Sequence, residues 1–446
     1  MDRTRDMTVG SPARHILSFA LPLIFANIGQ QLYFLADAAI VGRGIGVKAL
    51  AAVGTTDWCC WLIVWSMIGL TQGFSTYVSR HFGEKNYRDM NRAIAASLRL
   101  CLIVGLAVTV LGLAAAKPLL RLLGTPDELM PQAAVYLMII AGGTPAVTAY
   151  NMAASILRAV GDGKTPLIAM AIAGLLNVGL DVLFVFGFHW GVAGAAVASV
   201  LSQLASFIYC LRQLKGMECV DIRGVRPGGR LSRDMLLFGL PIAAQYIIIG
   251  LSGIIVQSGV NAQGSIFIAG YTAPNKLYGL LESSSISLGL ASSTFLAQNY
   301  GAGDHRRVKR GVMVSTVIAV VMALGVMGFV MLLRRPLILL FLDISEAGGP
   351  EALEVAVRYL SIMALSLVIL YLIHVFRNAL HAMEISLWSL ISGFFECVIR
   401  VLMAKVAIDY IGTDALFLAE PVSWFASMLG VMLPYFYYRK KLLEKG

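Results

Sequence analysis

The stretch "HILSFALPLIFANIGQQLYFLADAAIVG", His15–Gly42, decides the fold of this chain. It contains Asp37 as its only acid, and it is longer than the roughly 20 apolar residues that a helix needs to cross a bilayer. Similar runs recur along the 446 residues, of which 58% are hydrophobic and 13% charged. A soluble domain carries about a quarter of charged residues. The sequence therefore predicts an all-α integral membrane protein.

The apolar runs predict twelve membrane-spanning helices. They cover approximately residues 15–41, 49–79, 93–116, 132–157, 166–187, 191–211, 235–260, 266–298, 312–333, 353–376, 386–408 and 416–438. The longest polar linker, residues 212–234, divides these spans six and six. We expect an N-terminal lobe over residues 1–211 and a C-terminal lobe over residues 235–446.

The basic residues indicate the orientation of the chain. The net charge is +10, and 24 of the 35 Lys and Arg lie in the N-terminus, every second loop and the C-terminus, against 6 in the other loops. Cytoplasmic loops carry such an excess. Both termini and the 212–234 linker are thus predicted to be cytoplasmic, in a multi-pass membrane protein with no nucleic-acid partner. The first span is too long for a signal-peptide core, so no cleavage is expected.

The two groups of six spans repeat each other. "ILSFALP" (Ile16–Pro22) corresponds to "MLLFGLP" (Met235–Pro241), and Arg158 corresponds to Arg377, at an offset near 219. An even number of spans in each half means that both halves enter the membrane in the same direction, as in a parallel repeat. The repeat predicts two pseudo-symmetric lobes with a cavity between them.

Each half also contains a recognisable outer loop. "KPLLRLLGTPDEL" (Lys117–Leu129) belongs to the first half, and "RRPLILLFLDISE" (Arg334–Glu346) belongs to the second. We expect each of them to form a short interfacial helix.

Motifs for catalysis or cofactor binding are missing from the sequence. "RAVGDGKT" (Arg158–Thr165) has an arginine where a phosphate-binding loop needs its first glycine, and it follows a membrane helix instead of a strand. The sequence contains no G-x-S-x-G and no H-E-x-x-H. The six cysteines show no metal-type spacing. We predict a protein that is not an enzyme, has no cofactor and has no bound metal apart from a transported ion.

Polar residues inside the spans are costly in hydrocarbon and are therefore functional candidates. Asn177 and Asp181 are four residues apart, on one face of the fifth span. Asp37 and Asp181 each lie roughly 6 residues below the outer end of a span, about 9 Å deep. Ser199 lies at a comparable level. The four residues predict an oxygen-rich site for a proton or a small hard cation, with a structural contact between helices as the alternative.

The second half differs from the first at these positions. Across the repeat, Asn177 and Asp181 correspond to Glu396 and Arg400, and no acid occupies the position that corresponds to Asp37. Glu396 and Arg400 are four residues apart and can neutralise each other within one helix. The ion chemistry is therefore predicted to reside in the first half.

Two further ionisable residues, Glu282 and Lys276, lie in the eighth span. We expect Glu282, together with Tyr33 of the first span, to face a substrate cavity. Lys276 has no assigned role.

The chain resembles the MATE family, the multidrug and toxic compound extrusion transporters, over nearly its whole length. The similar segments are "ALPLIFANIGQQLYFLADAAIVGRGIGVKALAAVG" (Ala20–Gly54), "RHFGEKNYRDMNRA" (Arg80–Ala93), "ILRAVGDGKTP" (Ile156–Pro166) and "LNVGLDVLFVFG" (Leu176–Gly187). The N-x-x-x-D pattern of the fifth span most resembles the DinF-like branch. The resemblance implies two six-helix lobes in a V shape and export of amphipathic, often cationic compounds against an inward flow of H⁺ or Na⁺.

In that branch, the resemblance also implies the roles of single residues. The coupling site would comprise Asp37, Asp181, Asn177, Ser199 and Asn151. The first helix would bend near Pro22. Ser199 replaces a more usual threonine, which leaves the identity of the coupling ion open.

Three other functions are alternatives to antiport. A flippase for lipid-linked or other amphiphilic substrates, from the same superfamily, usually needs further spans and a cationic cavity. A channel function would not explain two lobes with ion chemistry in only the first of them. A membrane enzyme would need a set of catalytic residues, which the sequence does not show. The intramembrane acids favour an antiporter, expected to act as a monomer in the bilayer on small amphipathic molecules.

Overall fold

The computed structural model describes residues 4–342 and 348–443, and within these ranges every regular element is a helix. The first half contains α1 (Pro12–Gly44), α2 (Val47–Gly83), α3 (Tyr87–Leu122), α4 (Met130–Gly142), α5 (Thr144–Ala159), α6 (Lys164–Asp181) and α7 (Val192–Lys215). The second half contains α8 (Gly229–Asn261), α9 (Ser265–Gly301), α10 (His305–Leu339), α11 (Gly349–Ala382), α12 (Leu387–Leu402), α13 (Ile408–Ile411) and α14 (Asp414–Leu443).

Most of these helices are long and apolar enough to cross a bilayer. Nine helices of the described ranges meet this condition, and the bent pair α4 and α5 makes a tenth span. The two other predicted spans correspond to α9 and to α12 with α13. Helix α9 is 37 residues long but rich in serine, and α12 has only 16 residues. The serines of α9 lower its hydropathy, and α12 alone is too short to cross a bilayer, so neither helix meets the condition.

The fourth predicted span is divided into two helices. Helices α4 and α5 meet at Gly143 with a bend of 45°. A Cβ atom at Gly143 would lie 2.3 Å from a methyl carbon of Val200 on α7. Helix α7 therefore passes the bend at a distance that only glycine allows.

The prediction of two separate interfacial helices is wrong for the described residues. Residues 117–122 continue α3 without a break, and residues 334–339 continue α10. Pro118 and Pro336 lie inside these helices; the fixed φ of proline is close to the helical value, so the helix can continue at the cost of one hydrogen bond. The remainder of the second predicted loop, residues 343–346, lies outside the described residues.

A π-helical turn follows α6 in the first half and α12 in the second. The turns span Val182–Gly187 and Met403–Ala407. In the first, the amide of Phe188 donates to the carbonyl oxygen of Leu183, five residues earlier, at 2.9 Å. Such turns are rare and often occur at functional sites. Asp181 is the last α-helical residue before the first of them.

The described chain divides into two compact units. The first contains residues 4–9 and Leu21–Ala243, and the second contains Gly10–Ala20 together with residues from Ala244 onward. Helix α1 thus contributes its first turns to the second unit, and α8 contributes its residues up to Ala243 to the first. The division of the sequence at the 212–234 linker stays a prediction.

Each unit has its own apolar core. Phe74, Met90 and Ile94 are fully buried in the first unit. Tyr359 and Trp424 are fully buried in the second. These cores hold the helices that carry the polar residues described next.

Candidate functional site

Helices α6 and α7 bring two of the predicted polar residues together in the first unit. The side-chain amide of Asn177 on α6 donates to the hydroxyl oxygen of Ser199 on α7 at 3.3 Å. Ala195, Ala196 and Ala198, close to Ser199 on α7, are completely buried. Small side chains allow membrane helices to approach each other closely. The run "AGAAVAS" therefore makes a hydrogen bond between the two helices possible.

The two predicted carboxyl groups also meet. Asp37 on α1 and Asp181 on α6 interact directly through their side chains. Asp181 and Asn177 are completely buried, and Asp37 is 8% exposed. The structure thus brings together Asp37 and Asp181, which are 144 positions apart in the sequence. Their function in coupling stays a prediction.

Several oxygen atoms at this site have no hydrogen-bond donor. Among the described residues, nothing donates to Oδ1 of Asp37, to Oδ1 of Asn177, or to either carboxyl oxygen of Asp181. Buried polar atoms in folded proteins are hydrogen-bonded in the large majority of cases, and exceptions point to strain, a functional role or an unseen ligand. Chemically, this set of acceptors can take up a proton or surround a small hard cation with oxygen.

Tyr33 lies beside the carboxyl pair. Its hydroxyl group interacts with the side chain of Gln203 on α7, and Asp37 and Asp181 are close enough to affect it electrostatically. Its Cβ atom would be only 3.5 Å from a Cβ atom placed on Gly174 of α6. Tyr33, expected at a substrate cavity, thus stands at the carboxyl pair, and its place in such a cavity stays a prediction.

Three neighbours of the site were missed in the sequence. Gln203 follows Ser199 by one helical turn on α7, so the same spacing argument that joined Asn177 to Asp181 would have found it. Asp57 on α2 and Tyr136 on α4 interact electrostatically with Asp37. Asp57 could have been found as an acid within an apolar run. Tyr136 carries no such signal, because a single tyrosine in a span is common.

Within the described part of the chain, no hydrogen bond ties Asn151 or Pro22 to this cluster. The side-chain amide of Asn151 donates to the carbonyl oxygen of Val147, in its own helix α5, at 2.9 Å. Helix α1 continues through Pro22 without interruption. The structure therefore joins Asp37, Asp181 and their α6 and α7 neighbours, whereas the proposed functions of Asn151 and Pro22 rest on the resemblance alone.

The second unit contains a buried network of charges. Arg400 forms an ion pair with Glu396 at 2.7 Å, as the four-residue spacing predicted, and a shorter one with Glu420 of α14. Arg377 of α11 lies 3.7 Å from Glu396. The pair is not isolated, because side chains on three helices share these charges. Glu420, an acid within the last apolar run, was missed in the sequence.

Glu282 on α9 lies at the edge of this network. Its carboxyl group interacts with the hydroxyl group of Tyr278, one turn earlier, and with the charges of Glu420, Glu396 and Arg400. Its side chain is half-buried. Its exposure to a substrate cavity stays a prediction.

Comparison with known proteins identifies the family. The family model described as MatE matches residues 22–183 and 241–406, one match in each half. The probable multidrug resistance protein YoeA of Bacillus subtilis is 28% identical over 99% of this chain and 97% of its own length. The probable multidrug resistance protein YpnP of the same organism is 30% identical over 68% of each chain.

The fold is also found among solved structures. The crystal structure of a MATE protein in complex with MaL6 superposes with a TM-score of 0.90, at 24% identity, over 98% of this chain and 99% of that one. This likeness confirms the fold expected from the sequence, an all-α membrane protein with twelve spanning helices in two six-helix lobes. Since the family model covers most of the sequence in two matching halves, the chain belongs to the MATE family.

Proposed function

We propose that this protein is a secondary active multidrug efflux transporter that exports amphipathic, often cationic compounds in exchange for H⁺ or Na⁺. The names of the two Bacillus subtilis relatives support multidrug export. We also propose that it acts as a monomer in the bacterial plasma membrane, with both termini in the cytoplasm and without a cofactor. The 24-to-6 distribution of Lys and Arg supports this orientation.

One observation carries the proposed coupling: two adjoining buried carboxyl groups without a basic partner. Among the described residues neither Asp37 nor Asp181 forms an ion pair, and three of their oxygen atoms have no donor. An uncompensated charge in such a place is costly. A proton or a sodium ion removes this cost, and a transported ion can do so reversibly.

In this proposal the residues have distinct functions. Asp37 and Asp181 take up and release the ion. Asn177 and Ser199, joined by their hydrogen bond, hold the amide oxygen of Asn177 toward the carboxyl pair. Asn151 completes the site from α5.

Ion binding and export are linked through helix α1. This helix carries Asp37 about four turns after Pro22, which has no amide hydrogen to donate within the helix. Neutralising Asp37 changes how the segment around it packs against α6, and the helix can adjust at Pro22. The ion and the exported compound then stabilise different conformations, and each promotes the release of the other.

The proposal is tested with the purified protein in phospholipid vesicles. Export of ethidium is followed after imposing either a pH gradient or a Na⁺ gradient, in wild type and in Asp37→Asn. Export that depends on one gradient and is lost in the variant supports coupling at this site. Export at the same rate with and without each gradient would refute the antiport mechanism. The gradient that drives export identifies the coupling ion.

A further inference from the structure

A groove lies between the C-terminal end of α10 and the N-terminal end of α11, within the second unit. Its volume is about 380 Å³, and it is lined by Arg335, Pro350, Leu353, Glu354, Val357 and Arg358. The orientation proposed above puts these helix ends on the outer side, where only 6 of the 35 Lys and Arg lie, Arg335 among them. The rule that sets the topology therefore does not account for this arginine.

The surface that continues from the groove is apolar and exposed. On α10, Leu332 and Leu339 lie three residues before and four residues after Arg335, on the same face of the helix. They are 81% and 44% exposed. On α11, Leu365 lies two turns beyond Arg358 and is 59% exposed. Exposed apolar patches of this kind mark contact with a membrane, so both arginines stand at the end of a lipid-facing surface.

Arg358 is held in place by α14. Its guanidinium group donates to the carboxyl group of Asp414 at 2.7 Å and lies 5.9 Å from the ring centroid of Phe417. The side chain is nevertheless 61% exposed. A guanidinium group has five N–H donors, so one hydrogen bond to Asp414 leaves donors for a further acceptor in the groove.

Arg335 and Glu354 line the same groove with opposite charges but do not pair with each other. Within the described part of the chain, neither side chain forms an ion pair or a hydrogen bond. The neighbouring Arg334 differs, because it donates to the hydroxyl group of Ser361 on α11 at 3.3 Å. The groove therefore presents a positive charge on its α10 wall and a negative charge on its α11 wall, both exposed.

A zwitterionic phospholipid headgroup has the complementary pattern of charges. Phosphatidylethanolamine carries a negative phosphate next to the glycerol and an ammonium group at the end. Guanidinium groups bind phosphate oxygens, and carboxylates bind ammonium groups, through charge-assisted hydrogen bonds. Leu353 and Val357 offer an apolar wall to the glycerol and the start of the acyl chains. Phosphatidylglycerol has no ammonium group, so it would leave Glu354 without a partner and close to a phosphate.

We propose that the groove between α10 and α11 binds one zwitterionic phospholipid of the phosphatidylethanolamine type. Arg335 and Arg358 hold the phosphate, and Glu354 holds the ammonium group. The acyl chains continue along the exposed leucines of both helices into the bilayer. The inference goes beyond the proposed function, because it assigns a lipid to the second unit and involves neither the coupling ion nor the exported compound.

The test is native mass spectrometry of the full-length protein, which is freed of lipid in detergent and then titrated with one lipid at a time. Phosphatidylethanolamine and phosphatidylglycerol with identical acyl chains are compared. We expect the wild type to bind the first molecule of phosphatidylethanolamine about fivefold more tightly, because only this lipid offers Glu354 an ion pair.

Each charge of the groove has its own expected effect. Glu354→Gln should bind both lipids equally, because the preference depends on the carboxylate. Arg335→Gln should bind both lipids about fivefold more weakly, since both contain the phosphate, and Arg335→Lys should keep most of the binding. Arg121→Gln and Asp127→Asn change exposed charges of the first unit, serve as matched controls and should behave as wild type.

A further measurement separates a lipid from a free phosphate compound. Glycerophosphoethanolamine has the same headgroup but no acyl chains. An excess of it should not displace the bound phosphatidylethanolamine, because the acyl chains contribute apolar contacts that the headgroup alone lacks. Displacement would show that the groove takes a soluble headgroup, and the assignment to a lipid would be wrong.

Three other results would overturn the inference. They are wild-type binding of phosphatidylglycerol as tight as that of phosphatidylethanolamine, a preference that survives in Glu354→Gln, and undiminished binding of both lipids by Arg335→Gln. Melting temperatures in the same detergent verify that the variants are folded, which is expected because the changed side chains are exposed. None of these measurements depends on transport, so failure here is distinguishable from failure of the vesicle experiment.

Discussion

The side-chain amide of Asn177 and the hydroxyl group of Ser199 join helices α6 and α7 by a hydrogen bond of 3.3 Å, next to two carboxyl groups. One donor hydrogen of the amide is thereby used, and its oxygen is left without a donor among the described residues. The bond therefore fixes the direction in which that oxygen points.

This relationship leads to a first prediction about stability. Ser199→Ala removes the acceptor and should lower the free energy of unfolding by about 1 kcal/mol, the usual net value of one such hydrogen bond. Ser199→Thr keeps the hydroxyl group and is the control. Thermal unfolding of Ser199→Ala, Asn177→Ala and the double variant measures the coupling. Strictly additive effects would show that the bond does not contribute.

A second prediction concerns the carboxyl pair. Asp37→Asn and Asp181→Asn should each reduce gradient-driven export in vesicles to background, because an amide can neither exchange a proton nor give Na⁺ a full negative charge. Their melting temperatures should not fall, since each change removes a poorly solvated carboxylate. Asp127→Asn, which changes an exposed aspartate just after the C-terminal end of α3, is the matched control. Wild-type export in both variants would exclude the pair from coupling, and a collapse in stability would indicate a structural role.

A third prediction follows from the network around Arg400. Arg400→Met leaves Glu396 and Glu420 without their common partner and should cost about 3–5 kcal/mol of stability. Adding Glu420→Gln removes one of the stranded charges, and Glu396 can still pair with Arg377, so the double variant should be milder. Chemical or thermal unfolding of both variants in detergent provides the comparison. A double variant that is less stable than Arg400→Met would contradict this reading of the network.

A fourth prediction concerns orientation. Cysteines introduced at Val225 and His305 should react with a membrane-impermeant maleimide only after cells are opened, because basic loops face the cytoplasm. A cysteine at Asp127 should react in intact cells and is the positive control. Labelling of position 225 or 305 from outside would reverse the topology.

A fifth prediction concerns the bend between α4 and α5. Gly143→Ala places a methyl group 2.3 Å from Val200 and should cost about 1–3 kcal/mol through overpacking. Val200→Ala removes the nearest methyl groups and should restore part of the loss when the two changes are combined. Thermal unfolding of the two single variants and the double variant measures this. Equal stability of Gly143→Ala and wild type would show that the helices move apart freely.

Sequence reasoning succeeded where one helix holds the whole signal. Asn177 and Asp181 share a helical face through their spacing alone, and the pairing of Glu396 with Arg400 follows in the same way. The long apolar runs likewise predict the helices, because a bilayer demands a minimum length of hydrocarbon-compatible sequence.

Sequence reasoning failed where the interacting side chains come from different helices. Glu420 lies 20 residues beyond Arg400 in another helix, and the sequence around Glu420 does not indicate that Arg400 is its partner. Tyr136 comes close to Asp37 only because α4 packs near the carboxyl pair. The bend at Gly143 was missed for the same reason, since its cause is a side chain of α7 and not a helix-breaking residue in the span itself.

The π-helical turn after Asp181 affects how a deletion at this point of the chain would act. A π turn holds one residue more than the α-helical turn it replaces, and each residue of an α-helix rotates the next by about 100°. Deleting one residue within Val182–Gly187 should therefore convert the π turn to an α-helical turn and leave the helical residues before it, Asp181 included, in place. A similar turn, Met403–Ala407, occurs close to the corresponding point of the second half. The correspondence of the two halves thus extends to this departure from the α-helix.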